Sequence, residues 1–124
     1  EGDRYTGGGG QRPLPFDNYQ SAIRAIDPRT GDIRWNYDIQ PRSTAGIMAT
    51  AGDLVFSGTV DGYFLALDAV SGEELWHMAV GSRVHSSPMS FSVDGKQYVV
   101  ASVPDDRPEG PTTGSQIIAY ALPD

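Results

Sequence analysis

The chain has no cysteine. That absence excludes a disulfide framework, a thiolate nucleophile and a cysteine-ligated zinc, and it leaves the compartment open. Histidine is nearly absent as well: His77 and His85 fall on separate segments with no partner at ligand spacing, so they are not expected to bind metal. Basic residues are scarce, with Lys+Arg 9 against Asp+Glu 16 and a formal charge of -7. This balance disfavours nucleic acid or an anionic membrane surface as a partner. No apolar run approaches the roughly 18–20 residues of a membrane-spanning helix. The opening EGDRYTGGGG has neither the charged nor the apolar region of a signal peptide, so any export signal is expected upstream of Glu1. Its four glycines are followed by no Lys-Ser/Thr and no helical pattern, which speaks against a phosphate loop.

What is present is a repeat. Residues 64–80, FLALDAVSGEELWHMAV, echo residues 23–39, IRAIDPRTGDIRWNYDI. Ala25/Ala66, Asp27/Asp68, Gly31/Gly72 and Trp35/Trp76 are identical and stand 41 residues apart. Ile26/Leu67, Thr30/Ser71 and Asp32/Glu73 match in kind. A period of this length fits a four-stranded propeller blade, a single sheet that buries its faces against neighbours on both sides. With 39% hydrophobic residues the chain is not disordered, but two to three such units cannot close a ring.

Alternation and turn chemistry predict strands over 22–26, 33–39, 46–51, 54–59, 63–68, 74–80, 86–91, 97–103 and 116–122. Asp27-Pro28-Arg29-Thr30-Gly31 is read as the turn of an outer hairpin, while Asp61-Gly62 and Asp94-Gly95 read as two-residue hairpin turns. The expected fold is all-β, an incomplete β-propeller of about two to three four-stranded antiparallel blades. Its divisions are a Gly/Pro-rich lead-in loop over 1–18, the outer half of a blade over 19–40, a complete blade over 41–80, and a last blade over 81–124 lacking its outer strand. Exposed sheet edges at both ends would invite pairing, so the remaining blades of a longer protein are the expected partner. A ring of several copies is the alternative.

All eight repeated residues read as structural. Each indole can lie between adjacent sheets and bury on the order of 200 Å². Ala25 and Ala66 leave room for it, and the Asp-Gly turn brings Trp back to Ala.

The repeat A-x-D-x-x-[ST]-G-x-x-x-W resembles the tryptophan-docking motif of quinoprotein alcohol dehydrogenases, which bind pyrroloquinoline quinone (PQQ). The segments ATAGDLVFSGTVDGYFLALDA and SSPMSFSVDGKQYV are more specific to those dehydrogenases, and the likeness covers roughly residues 19–122. It implies the last part of a periplasmic eight-bladed ring with PQQ and usually Ca²⁺ near its axis. An aspartate would act as general base on an alcohol or sugar, with hydride passing to the quinone and electrons on to a cytochrome or quinone acceptor. The calcium ligands, the base and the paired cysteines of that family are implied to lie in earlier blades, so no catalytic or metal residue is assigned here and the chain alone is expected to be inactive. A non-catalytic propeller serving as scaffold or binding module is the second reading.

In such rings the loop from an outer strand to the next inner strand opens near the axis. The two loops concerned are 42–47 and 81–86. Arg83, Val84 and His85 are implied cofactor neighbours, with Arg83 and His85 donating to PQQ carboxylates. Thr44 is a further candidate, standing where methanol dehydrogenases carry a tryptophan. The plain alternatives are a solvent-facing loop histidine for His85 and a rim salt bridge for Arg83. His77 is expected at the surface, Asp61 is explained by its hairpin, and Ser86 and Ser87 lack a triad context.

Overall fold

The computed structural model describes residues 21–40, 43–105 and 114–122. The lead-in loop over 1–18 lies outside them, as do Arg42 and residues 106–113 of the polar loop. The described residues form strands and turns without a helix.

Strands β1 (Ser21–Ile26) and β2 (Ile33–Ile39) make a two-stranded antiparallel hairpin. Four consecutive strands follow in one sheet, β3 (Met48–Ala49), β4 (Leu54–Gly58), β5 (Tyr63–Asp68) and β6 (Glu74–Ala79). The third sheet holds β7 (Met89–Val93), β8 (Lys96–Val103) and β9 (Gln116–Ala121), again in chain order. Every pairing is antiparallel between sequence neighbours. These are three consecutive units of an incomplete propeller.

The middle sheet is covered on both faces, which is why β4 and β5 read as nearly continuous apolar runs. Phe56, Phe64 and Ala66 meet Val99, Ala101 and Val103 of β8 in one core cluster. Val55, Leu65 and Leu67 point the other way and meet Ile23 and Ile39 of the first hairpin. Phe64 and Leu67 have no exposed surface at all.

The two copies of the repeat agree down to single hydrogen bonds. Ala25 pairs with Trp35 and Ala66 with Trp76, and a register shift follows immediately after each alanine. Gly31 N–H donates to Asp27 O at 2.8 Å and Gly72 N–H to Asp68 O at 2.9 Å, with φ of 80° and 77° at the two glycines. Those left-handed angles are what a glycine adopts at no steric cost. The Asp carboxylate holds the turn from inside: Asp27 Oδ1 accepts from Arg29 N–H at 2.9 Å, and Asp68 Oδ1 from Val70 N–H at 2.9 Å and Ser71 N–H at 2.6 Å. The Thr/Ser position has its own task, since Thr30 Oγ1 and Ser71 Oγ each accept the amide two residues on.

Gly72 has a second role that turn chemistry alone does not reveal. A Cβ there would lie 2.6 Å from Trp35 Cδ2, so the indole of one sheet rests on the turn of the next. Trp35 Nε1–H also donates to Ala69 O at 2.9 Å. Trp76, its counterpart, packs edge-on against Phe64 and Tyr120, with ring centroids 6.1 and 5.1 Å away.

Three local expectations change. The strand over 46–51 shortens to Met48–Ala49, because Ser57 Oγ takes the Gly46 carbonyl that a longer ladder would use. The strand over 86–91 begins only at Met89. Pro88 has no amide to donate, and Ser86 Oγ bonds both the carbonyl and the amide of Ser102 in place of backbone pairing. The Asp61-Gly62 turn is longer than two residues: Thr59 N–H donates to Tyr63 O across Val60, Asp61 and Gly62, and positive φ falls on Gly62 alone. Asp94-Gly95 does form the two-residue turn, with φ of 51° and 81°.

Gly31→Ala and Gly72→Ala isolate the docking contact, because they share one backbone penalty of roughly 1–2 kcal/mol. Gly31 has nothing near its added methyl, whereas Gly72 meets the indole. Urea unfolding should show Gly72→Ala as the costlier change by a further 1–3 kcal/mol or so; equal losses would remove the docking role.

The turn aspartates also predict the acid limb of stability. Asp27 is held below its ordinary 3.8, first by the Arg34 guanidinium and then by the Arg29 amide. Asp68 is held below 3.8 first by the Ser71 amide and then by its hydroxyl. Lowered carboxyl values mean stability that is full above about pH 4 and lost as the pH falls further. The urea midpoint should fall below pH 4, and Asp68→Asn should be less stable at neutral pH with a shallower acid decline.

Candidate functional site

The two loops that lead into the edge strands β3 and β7 come together. Thr44 Oγ1 lies 2.7 Å from His85 Nδ1, joining residues 41 apart in the chain. Both side chains are exposed. The loops are pressed together just beyond them, since a Cβ on Gly46 would fall 1.9 Å from Ser87 Oγ.

Each loop is anchored independently of that contact. Ser43 Oγ donates to Gly58 O at 2.5 Å and accepts from Ala45 N–H at 3.1 Å, while Ser43 N–H donates to Ser21 Oγ at 3.3 Å. On the other side Val80 N–H donates to Gly62 O at 2.8 Å and Val84 N–H to Thr59 O at 3.0 Å, clamping residues 81–84 onto the hairpin between β4 and β5.

Val84 departs from expectation. It is fully buried and fills the space that a side chain at Gly58 would need, 2.3 Å from the position of that missing Cβ. A residue with no exposed surface offers nothing for a ligand to touch; Val84 is the plug that fixes Arg83 and His85 on either side of it. Arg83 is exposed and engaged in an interaction of its own.

The charge of this edge runs against that of the chain. Residues 43–47 and 81–88 contain no Asp or Glu, although the whole protein carries -7. The groups offered are hydroxyls, one imidazole and one guanidinium, a donor set suited to carboxylate oxygens. Behind Gly81 and Ser82 a cleft of about 380 Å³ is closed by Val80, Val103, Pro104 and Asp105. Sequence reasoning missed the roles of Ser43, Ser87 and this cleft. The available signal was Gly46 and Gly58, because isolated glycines near strands mark close backbone approach.

A second polar cluster lies between β2 and β6. Tyr37 O–H donates to Glu74, whose other oxygen lies 2.5 Å from His77 Nδ1, beside a cleft of about 230 Å³ that Asp38, Thr59, Asp61 and Tyr63 also line. Burial, and then the Glu74 carboxylate, push Tyr37 up to about 12. Hydrogen bonds from Tyr37 and then His77 hold Glu74 below its usual range. The bond from Tyr37 on β2 to Glu74 on β6 staples the first sheet to the second. His77 sits at the surface, as expected. Among the described residues no group of three His, Asp or Glu could hold a metal ion.

Residues 20–121 match a family model described as outer membrane protein assembly factor BamB. The quinoprotein ethanol dehydrogenase of Pseudomonas aeruginosa is 42% identical over 103 residues, which are 83% of this chain and 16% of that protein. Methanol dehydrogenase [cytochrome c] subunit 1 of Methylorubrum extorquens is 40% identical over 97 residues, 77% of this chain and 15% of that one. Among solved structures, quinohemoprotein alcohol dehydrogenase from Comamonas testosteroni superposes with a TM-score of 0.70 at 30% identity, covering 81% of this chain and 16% of that one. The chain thus spans about a sixth of the length of these relatives.

Gly46→Ala tests the loop contact. It should destabilise by about 1–3 kcal/mol. Ser87→Gly in the same molecule removes the two worst contacts and should recover part of that loss, a coupling on the order of 1 kcal/mol. Additive losses in urea unfolding would show that the loops do not touch.

Proposed function

Because the chain belongs to the PQQ-repeat propeller family described as outer membrane protein assembly factor BamB, and its relatives are quinoprotein alcohol dehydrogenases, we propose that it is propeller wall from a PQQ-dependent dehydrogenase of alcohols or sugars. The observation that carries this reading is the Thr44–His85 pair, which joins two loops without a carboxylate into one edge rich in donors. PQQ carries carboxylates, and a donor set of Thr44, Arg83 and His85 fits them.

When bound, PQQ supplies a two-electron acceptor for the hydride of the alcohol carbon. The residues of this chain bind and orient. Arg83 and His85 donate to carboxylate oxygens, Thr44 supports His85, and buried Val84 keeps the loop from moving. The general base and the ligands of Ca²⁺ belong to other blades of the ring on this reading, and none of the aspartates described here lies on the two loops. Electrons would leave to a cytochrome or quinone acceptor in the periplasm; one relative is named for cytochrome c.

A non-catalytic scaffold is the second reading, favoured by the family description and by the structural role of every repeated residue. The two separate on the intact protein supplied with PQQ and Ca²⁺, by dye reduction with a panel of alcohols and aldoses. Dye reduction is expected, and Arg83→Ala with His85→Ala should weaken PQQ binding about tenfold, the equivalent of roughly 1.4 kcal/mol. Absence of both cofactor uptake and dye reduction selects the scaffold, while the 124-residue chain alone is expected to show no turnover.

A further inference from the structure

The Thr44–His85 contact is not needed to hold the loops. Ser43 ties one loop to Ser21 and Gly58, the amides of Val80 and Val84 tie the other to Gly62 and Thr59, and Gly46 closes on Ser87. With both backbones fixed, a 2.7 Å bond from a hydroxyl to one ring nitrogen acts on the ring itself. It sets the orientation of the imidazole and which nitrogen carries the proton, since the hydrogen bond made by one ring nitrogen decides the state of the other. Nε2 has no partner among the described residues, so it is the nitrogen left for a ligand.

A hydroxyl can donate or accept. The Nε2–H form is the intrinsically favoured neutral imidazole, and it leaves a lone pair on Nδ1 for the Thr44 proton. Donation by Thr44 therefore reinforces the ring's own preference, whereas acceptance would oppose it. We propose that Thr44 is a positioning residue for His85, donating to Nδ1 and fixing the neutral imidazole as the Nε2–H tautomer. In that tautomer His85 presents a hydrogen-bond donor at Nε2. That donor suits a carboxylate, and its direction toward PQQ rests on the reading given above. Arg83 supplies the charge of the same edge, so the two residues divide attraction and geometry between them.

The test is nitrogen NMR of the full 124-residue chain at about pH 8, well above the ordinary histidine value of about 6.5. His85→Gln assigns the resonances, because His77 is the other histidine. The expected result is a protonated Nε2 and an unprotonated Nδ1 for His85. Thr44→Ser should keep that pattern, and the near-isosteric Thr44→Val should collapse it toward the averaged shifts of a free tautomer pair. A protonated Nδ1 in the unaltered chain, or spectra indifferent to Thr44→Val, would overturn the inference. The second arm is PQQ binding by the intact protein in the presence of Ca²⁺: a severalfold loss of affinity with Thr44→Val supports the carboxylate-facing role. A fixed tautomer with PQQ affinity indifferent to Thr44→Val and His85→Gln would remove the cofactor-side reading and leave the positioning role of Thr44 standing.

Discussion

The packing of the Trp35 indole on the Asp-Gly turn of the following blade is the contact on which the stacking of the first two sheets depends. The indole lies where any Cβ on Gly72 would collide, and its N–H is satisfied by Ala69 O. One residue pair therefore fixes how closely the two sheets approach and adds a second reason for glycine at a turn whose positive φ already favours it. The Asp carboxylate and the Ser hydroxyl inside that turn hold it ready to receive the ring. The staple from Tyr37 to Glu74 adds a second tie between the same two sheets.

This docking lets the middle sheet be apolar on both faces. Residues of β4 and β5 alternate between two separate cores rather than between core and solvent. The outer faces of the flanking sheets differ. On the first hairpin Arg24 and Asn36 pair across the strands as a polar surface. On the third sheet Met89, Phe91 and Val93 are exposed, with Phe91 stacked on Tyr98. A sheet that shows aromatic and aliphatic residues on its open face is built to be covered, as blades of a ring are.

The ends of the sheets carry a different chemistry. Small residues at Ser43, Gly46, Gly58 and Ser87 bring two lead-in loops within hydrogen-bond distance of each other. That closeness places Thr44 against His85 and sets Arg83 on a loop that itself carries no carboxylate. In a strongly acidic protein, such a loop is where an anionic ligand meets the least repulsion.

The repeat, the sheet-by-sheet organisation and most strand limits were legible in the sequence, because each follows from local rules: alternation of period two, Asp-Gly turns and a motif spaced 41 residues apart. The shortened β3 and the late start of β7 were not, since they depend on side chains of Ser57 and Ser86 reaching backbone groups on other strands. The loops of the candidate site could be named from the order of strands, and Arg83 and His85 with them. Their arrangement could not. Whether Val84 faces outward or plugs the core, and whether Thr44 meets His85, is decided by contacts between residues far apart in the chain. The sequence by itself determined what each blade is made of, since turns and strands are specified by neighbouring residues. Tertiary structure alone decided which glycine receives an indole and which residue meets His85, because both arise only when one sheet is laid against the next.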